Sequence, residues 1–256
     1  LVRAKARIRD AGIPFGIPDK ELLPERLDAV LEAIYAAYTK GWAEIGDAAS
    51  IALAEEAIWL GRLVVGLLPD EPEAKGMLAL MLYTEARRAA RRSADGAYVP
   101  LEQQDTSLWD DSQIGLAEAL LKAANAAGPS GRYQIEAAIQ SAHVARRTLG
   151  ANTWPAILAL YDHLLALIAS PVVALNRAMA LAELEGPDAA LAALAPLSAD
   201  KRMADYQPYW AARGHLMARA GLKGEAHEAL TLASGLATDE AVRHYLRGQI
   251  AALADG

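Results

Sequence analysis

QPYWAARGHLMARAGLKGEAHEALTLAS, residues 207–234, is the stretch whose reading decides the fold. With Gln207 counted as position 1, Trp210, Gly214, Met217, Ala226, Leu230 and Ala233 fall at positions 4, 8, 11, 20, 24 and 27. Small residues at such offsets let two antiparallel helices approach, and the large ones fill the space between them. One hairpin of this kind cannot bury its own apolar face, so copies are expected beside it.

They are present upstream. Ala174, Ala178, Leu181, Ala190, Leu194 and Leu197 repeat the same offsets, and Ala159, Ala166 and Pro171 form a partial third copy near positions 20, 27 and 32. The spacing is that of tetratricopeptide repeats. The step from Ala190 to Ala226 is 36 residues where the regular repeat takes about 34, and Arg213 stands where an apolar residue is preferred, so the array is irregular.

Before the repeats the pattern is helical but not repetitive. From Pro24, Leu23, Leu27, Val30, Leu31, Ile34, Tyr35 and Tyr38 make one apolar stripe, with Gly41 and Gly46 bracketing its end. Further helices are expected from about Ile51 to Leu68, Glu73 to Arg92 and Ser112 to Ala127. SADGAYVPLEQQDTSLWDD, residues 93–111, lacks helical period and contains an Asp95-Gly96 turn signal. AGIPFGIPDKELLP, residues 11–24, has Gly12, Pro14, Gly16 and Pro18 at its start, with the two prolines four apart, and cannot continue a helix. The expected architecture is therefore all-α, a helical bundle followed by a helix-hairpin solenoid. Its parts are a basic helix end and linker at 1–20, a helical middle domain at 21–128 and a repeat domain at 129–256.

Composition agrees. Of 256 residues 54% are apolar but only 6% aromatic, with Ala and Leu dominant, which favours helices over sheets. Cysteine is absent, which excludes disulfides and thiolate chemistry and fits a cytoplasmic setting. The longest apolar stretch, Trp154 to Leu175, is interrupted by Asp162, His163 and Pro171, so no membrane span is expected. A net charge of −7 argues against broad nucleic-acid binding. The exception is Arg3, Lys5, Arg7 and Arg9, candidate contacts for DNA phosphates. The chain begins at Leu1, which suggests part of a longer protein.

Catalytic signatures are missing. His143, His163, His215, His227 and His244 fall at no metal-ligand spacing, and no Gly-rich phosphate loop or nucleophile elbow occurs. Asp110 and Asp111 before a helix read as N-terminal caps and not as an aspartate-rich magnesium motif. No catalytic residue, metal or cofactor is expected, and the chain is read as a non-enzyme. Arg87, Arg88, Arg91 and Arg92 are followed by Glu102, Asp105, Asp110 and Asp111. Ion pairs among them, helped by Trp109 and Leu101, would fasten the 93–111 loop to the third helix, since a long loop in a compact domain needs fastening. The alternative is a docking surface or anion site centred on Arg87, Arg91, Glu102, Asp105 and Trp109.

The order of the segments resembles the C-terminal part of extracytoplasmic-function RNA polymerase sigma factors that carry a long tetratricopeptide-like extension. The matching strings are LVRAKARIRDAGIPFGIP, LPERLDAVLEAIYAAYTKGW, LLPDEPEAKGMLALMLYTEARRAAR, LEQQDTSLWDD and SPVVALNRAMALAELEGPDAAL, spread over nearly the whole chain. Such sigma factors tend to have QDRSRWD where Gln104–Asp110 reads QDTSLWD, which puts any arginine-dependent role of that loop in doubt. The resemblance implies a regulatory extension acting in transcription initiation, with residues 1–9 as the exit helix of sigma region 4. The implied partners are RNA polymerase core, promoter DNA reached through the parent protein, and region 4 of the same chain. A peptide-binding scaffold is the first alternative, with Tyr206, Tyr209, Trp210, Asn176 and Arg177 lining its groove. An all-α enzyme or small-ligand binder using residues 85–111 is the second.

Overall fold

The computed structural model describes residues 23–43, 48–128 and 130–255. The phosphate-contact candidates Arg3, Lys5, Arg7 and Arg9, and the linker, lie outside them. The described residues form α-helices joined by turns and short 3₁₀ segments, with no strand, so the protein is all-α. No described helix is long and apolar enough to cross a membrane.

The first three helices are α1 (Leu23–Ala43), α2 (Ala48–Leu67) and α3 (Pro72–Glu85). The stripe on α1 buries Leu31, Ile34 and Tyr38, while Val30 at its margin is exposed. Gly41 does not end this helix. It lies inside the last turn, where a Cβ would come within 2.5 Å of the Ser50 carbonyl oxygen and 2.6 Å of the Ala54 nitrogen on α2. The glycine is there so that two backbones can touch. α3 is buried on every side from Ala74 through Tyr83, bar Lys75, as a central helix must be. It stops at Glu85, seven residues before the sequence reading ended it, and a 3₁₀ turn, Arg88–Arg91, follows. The cause is local, because Arg87 Nε takes up the Tyr83 carbonyl and the Arg87 amide bonds back to Thr84, tightening the last turn.

After the loop, α4 (Asp111–Asn125) and α5 (Arg132–Leu149) pack on α3. Glu73 of α3 caps α5 from outside, its carboxylate accepting the Tyr133 and Gln134 amides at 2.9 and 3.1 Å. α5 serves two cores. Tyr133, Ala137 and Val144 join the bundle core of α1–α4, while Ile135 and Ile139 join Ile157, Leu164 and Val173 of the next two helices. The expected boundary at 128/129 thus falls at a turn in the chain, and apolar packing runs across it through α5.

The repeat half comprises α6 (Trp154–Leu167), α7 (Pro171–Glu185), α8 (Pro187–Leu194), a four-residue α9 (Lys201–Ala204), α10 (Gln207–Arg219), α11 (Lys223–Leu236) and α12 (Glu240–Asp255). The α10–α11 hairpin packs as its spacing predicts. Ala226, Leu230 and Ala233 are buried, and a Cβ on Gly214 would meet Leu230 Cγ at 2.6 Å. Ala178, Leu181, Ala190 and Leu194 are buried likewise in α7–α8. The partial third copy fails, because Ala159 and Ala166 are exposed. α6 faces its neighbours with Ile157 and Leu164, two residues before each alanine, so the helix is rotated away from the repeat geometry. Arg213 is accommodated over the rings of Tyr209 and Trp210, 5.8 and 5.6 Å from their centroids.

The array curls back on itself. Asp239, capping the first turn of α12, pairs with Arg92, and Tyr245 meets Tyr98 edge-on at 5.4 Å. The last helix is thereby joined to the loop after α3.

Candidate functional site

Curling creates an inner groove, built first by α1. Tyr35, Tyr38 and Trp42 recur on one face at three- and four-residue spacing, with centroids 6.4 Å apart for Tyr35–Tyr38 and 6.2 Å for Tyr38–Trp42. Opposite stand Arg132, Glu136 and Gln140 of α5, Tyr161 of α6 and Asn176 of α7. Together with Arg87 they enclose a cavity of about 550 Å³. A second cavity of about 290 Å³ shares Tyr161 and Asn176 and continues past His143, Trp154, Met179 and Glu183 into the repeats. One groove therefore runs across the joint between bundle and repeat half.

The four arginines after α3 do four different things. Arg88 grips Glu85 through two bonds of 2.5 and 2.9 Å and covers the Trp42 ring. Arg91 lies 4.0 Å above that ring and donates to the Trp42 carbonyl at 2.6 Å, closing the end of α1. Arg92 reaches Asp239. Arg87 turns into the groove, donating to Gln140 Oε1 at 2.6 Å with its guanidinium 5.9 Å from the Trp109 ring. Burial pushes Arg87 and Arg91 each down to about 10, still charged at neutral pH.

The ion pairs expected between these arginines and the loop acids do not form among the described residues. Glu102 pairs with Arg146 of α5 at 2.5 Å, Asp105 caps the Ser107 amide at 2.9 Å, and Asp110 caps α4 through the Ser112 and Gln113 amides as expected. The loop is fastened by Trp109, as expected, and by bonds to other partners. Trp109 is buried, the Asp110 amide bonds to the Ala86 carbonyl at 2.9 Å, the Val99 amide bonds to Arg91 at 3.0 Å, and Arg147 holds the Gln104 carbonyl at 2.7 Å. Charge order along the chain suggested the wrong partners. The Arg146-Arg147 pair was the available signal, but only the packing of α5 brings it to the loop.

Of the groove residues expected for a scaffold, only Asn176 lines these two cavities. Tyr209 is fully buried, Trp210 packs between two cores with its indole donating to the Ala204 carbonyl, and Arg177 pairs with Asp162. Tyr35, Trp42, Gln140 and Tyr161 were missed. Their polarity looked unremarkable in sequence, and nothing marked the face that curling would turn inward.

Among the described residues no three His, Asp or Glu side chains gather in a way that could hold a metal ion. His143 sits against Trp154, edge-on at 5.7 Å, and its Nδ1 has no protein partner. Burial first, then Arg146 and Arg87, push its pKa down to about 4.

A family model described as a family of unknown function (DUF6596) matches residues 26–125, which hold most of α1 and all of α2 to α4. An uncharacterized protein of Rhizobium meliloti (strain 1021) is 41% identical over 256 residues, covering 99% of this chain and 60% of that protein. The chain thus spans about 60% of the length of the curated relative it matches. No solved structure matches.

Proposed function

We propose that this chain is the regulatory, partner-contacting extension of a bacterial sigma factor that acts in transcription initiation in the cytoplasm. The parent protein would bring RNA polymerase core to promoter DNA, and this part would tune it through contacts with polymerase or with sigma region 4. The order of quoted strings supports the sigma context. The observation that carries a contact role is the outer face of α2, where Trp59, Leu63 and Leu67, one turn apart, are 59, 44 and 71% exposed. Large apolar residues in a contiguous exposed stripe mark a surface that partners cover.

The test is reconstituted transcription with the full parent protein. Replacing Trp59 and Leu63 by glutamate, both on an exposed face, is expected to change transcript yield several-fold while leaving promoter choice and helical content intact. Removal of residues 151–256 should likewise change the yield while sparing promoter choice; the cut follows α5 because that helix completes the bundle core. Unchanged yield from both variants would reject the regulatory role. The alternative, a peptide-binding scaffold, draws on the inner groove and its exposed Asn176. It would gain if an unstructured peptide bound there in the absence of any polymerase component.

A further inference from the structure

Arg87 is a half-buried cation with no carboxylate partner among the described residues. Its hydrogen bonds run from Nε to the Tyr83 carbonyl and from Nη2 to Gln140, both uncharged acceptors. The nearest acids are committed elsewhere. Glu85 is held by Arg88 and accepts from the Tyr38 hydroxyl, and Glu136 is held by Arg132 at 2.8 Å. A half-buried guanidinium with only neutral acceptors keeps its charge free for an anion that reaches it. Its two bonds end α3 and tie it to α5, and neither of them uses the positive charge.

Its surroundings point to a ligand. The cavity of about 550 Å³ that Arg87 lines falls in the range of small-molecule sites, roughly 300–1,000 Å³. One wall is aromatic, formed by Tyr35 and Trp42, and the other is polar, formed by Gln140, Tyr161 and Asn176 with the mutually paired Arg132 and Glu136. Nη1 of Arg87 makes no bond among the described residues and remains for a molecule entering from the groove. A planar guanidinium matches a carboxylate better than it matches a neutral amide.

We propose that this cavity binds a small organic carboxylate with a planar, apolar body, its anion on Arg87 and its ring against the aromatic face of α1. Such a ligand would touch α1, α5, α6 and α7 together, bridging the bundle and the repeat half. This inference stands apart from the sigma-factor proposal, because it concerns the inner groove and needs no polymerase.

The test uses the whole chain and pairs of probes that differ only in charge. Benzoate and indole-3-acetate are titrated against benzamide and indole-3-acetamide, with binding read from Trp fluorescence and from the shift in melting temperature. Each acid is expected to bind at least tenfold tighter than its amide, and Arg87→Gln should remove that preference. The comparison of acid with amide on the unaltered protein needs no variant to fold. Equal affinity for acid and amide would overturn the proposal, as would an acid preference that survives in a folded R87Q protein. So would a peptide with a free C-terminus binding where no small acid does, which would assign the groove to chain ends instead.

Discussion

Gly76 and His143 illustrate what single residues contribute. A Cβ at position 76 would lie 2.7 Å from the Gln134 nitrogen and 3.0 Å from its Cα, both backbone atoms that cannot swing aside. Gly76→Ala should therefore push α3 and α5 apart and cost about 2–3 kcal/mol, as overpacking does in close-packed cores. Urea unfolding of the variant measures this, and an unchanged midpoint would contradict the close approach. His143 makes stability depend on pH. Its pKa falls from about 6.5 unfolded to about 4 folded, so the neutral form is favoured in the native state. The stability this confers is complete above pH 6.5 and is lost as pH falls toward 4. Over that window His143 accounts for a loss of about 3 kcal/mol, by the usual conversion of pKa shift to free energy. His143→Gln should flatten this part of the curve; an equally steep decline in the variant would assign it to other groups.

At the scale of elements, α5 holds the molecule together and depends on α3 for its start. The Glu73 carboxylate supplies both charge and acceptors to the free amides of Tyr133 and Gln134, a cap delivered by a different helix. Glu73→Ala should cost about 1–2 kcal/mol, the range of lost N-caps. Hydrogen exchange is expected to show the first turn of α5 losing protection before α3 does, and uniform protection would refute the cap. Helices with one wet face were legible from sequence, because burial on one side leaves a periodic stripe. α1 and the α10–α11 hairpin are examples. α3 was placed but overrun, since a helix buried all round gives no period to show where it stops. The partial repeat at Ala159 and Ala166 shows the converse. Small residues at suitable offsets occur by chance in an alanine-rich chain, and which face they occupy depends on how the helix is rotated by its neighbours.

Across the whole molecule, α12 is joined to the loop after α3. Arg92 and Asp239 are 147 positions apart in the chain and both are partly buried; Tyr98 and Tyr245 add an aromatic contact. Partly exposed ion pairs contribute little to global stability, about 1 kcal/mol or less. The combined Asp239→Ala and Tyr245→Ala variant should thus keep its helical content and most of its melting temperature while the array opens. Small-angle scattering would register the opening as a larger radius of gyration, and an unaltered radius would show that the curl does not need this contact.

The sequence by itself determined that this protein is helical and where most hairpins lie, because helix propensity, apolar period and the small-residue spacing of a hairpin act over a few turns of chain. It also placed the Asp110 cap and the Asp95-Gly96 turn, where Gly96 takes φ +86°. Tertiary structure alone decided the partners of the arginine run, the two-sided role of α5 and the existence of the groove. Each of those joins residues far apart in the chain, through the rotation and curvature of stacked helices. That geometry is a sum over many packed side chains, and no short stretch of sequence records it.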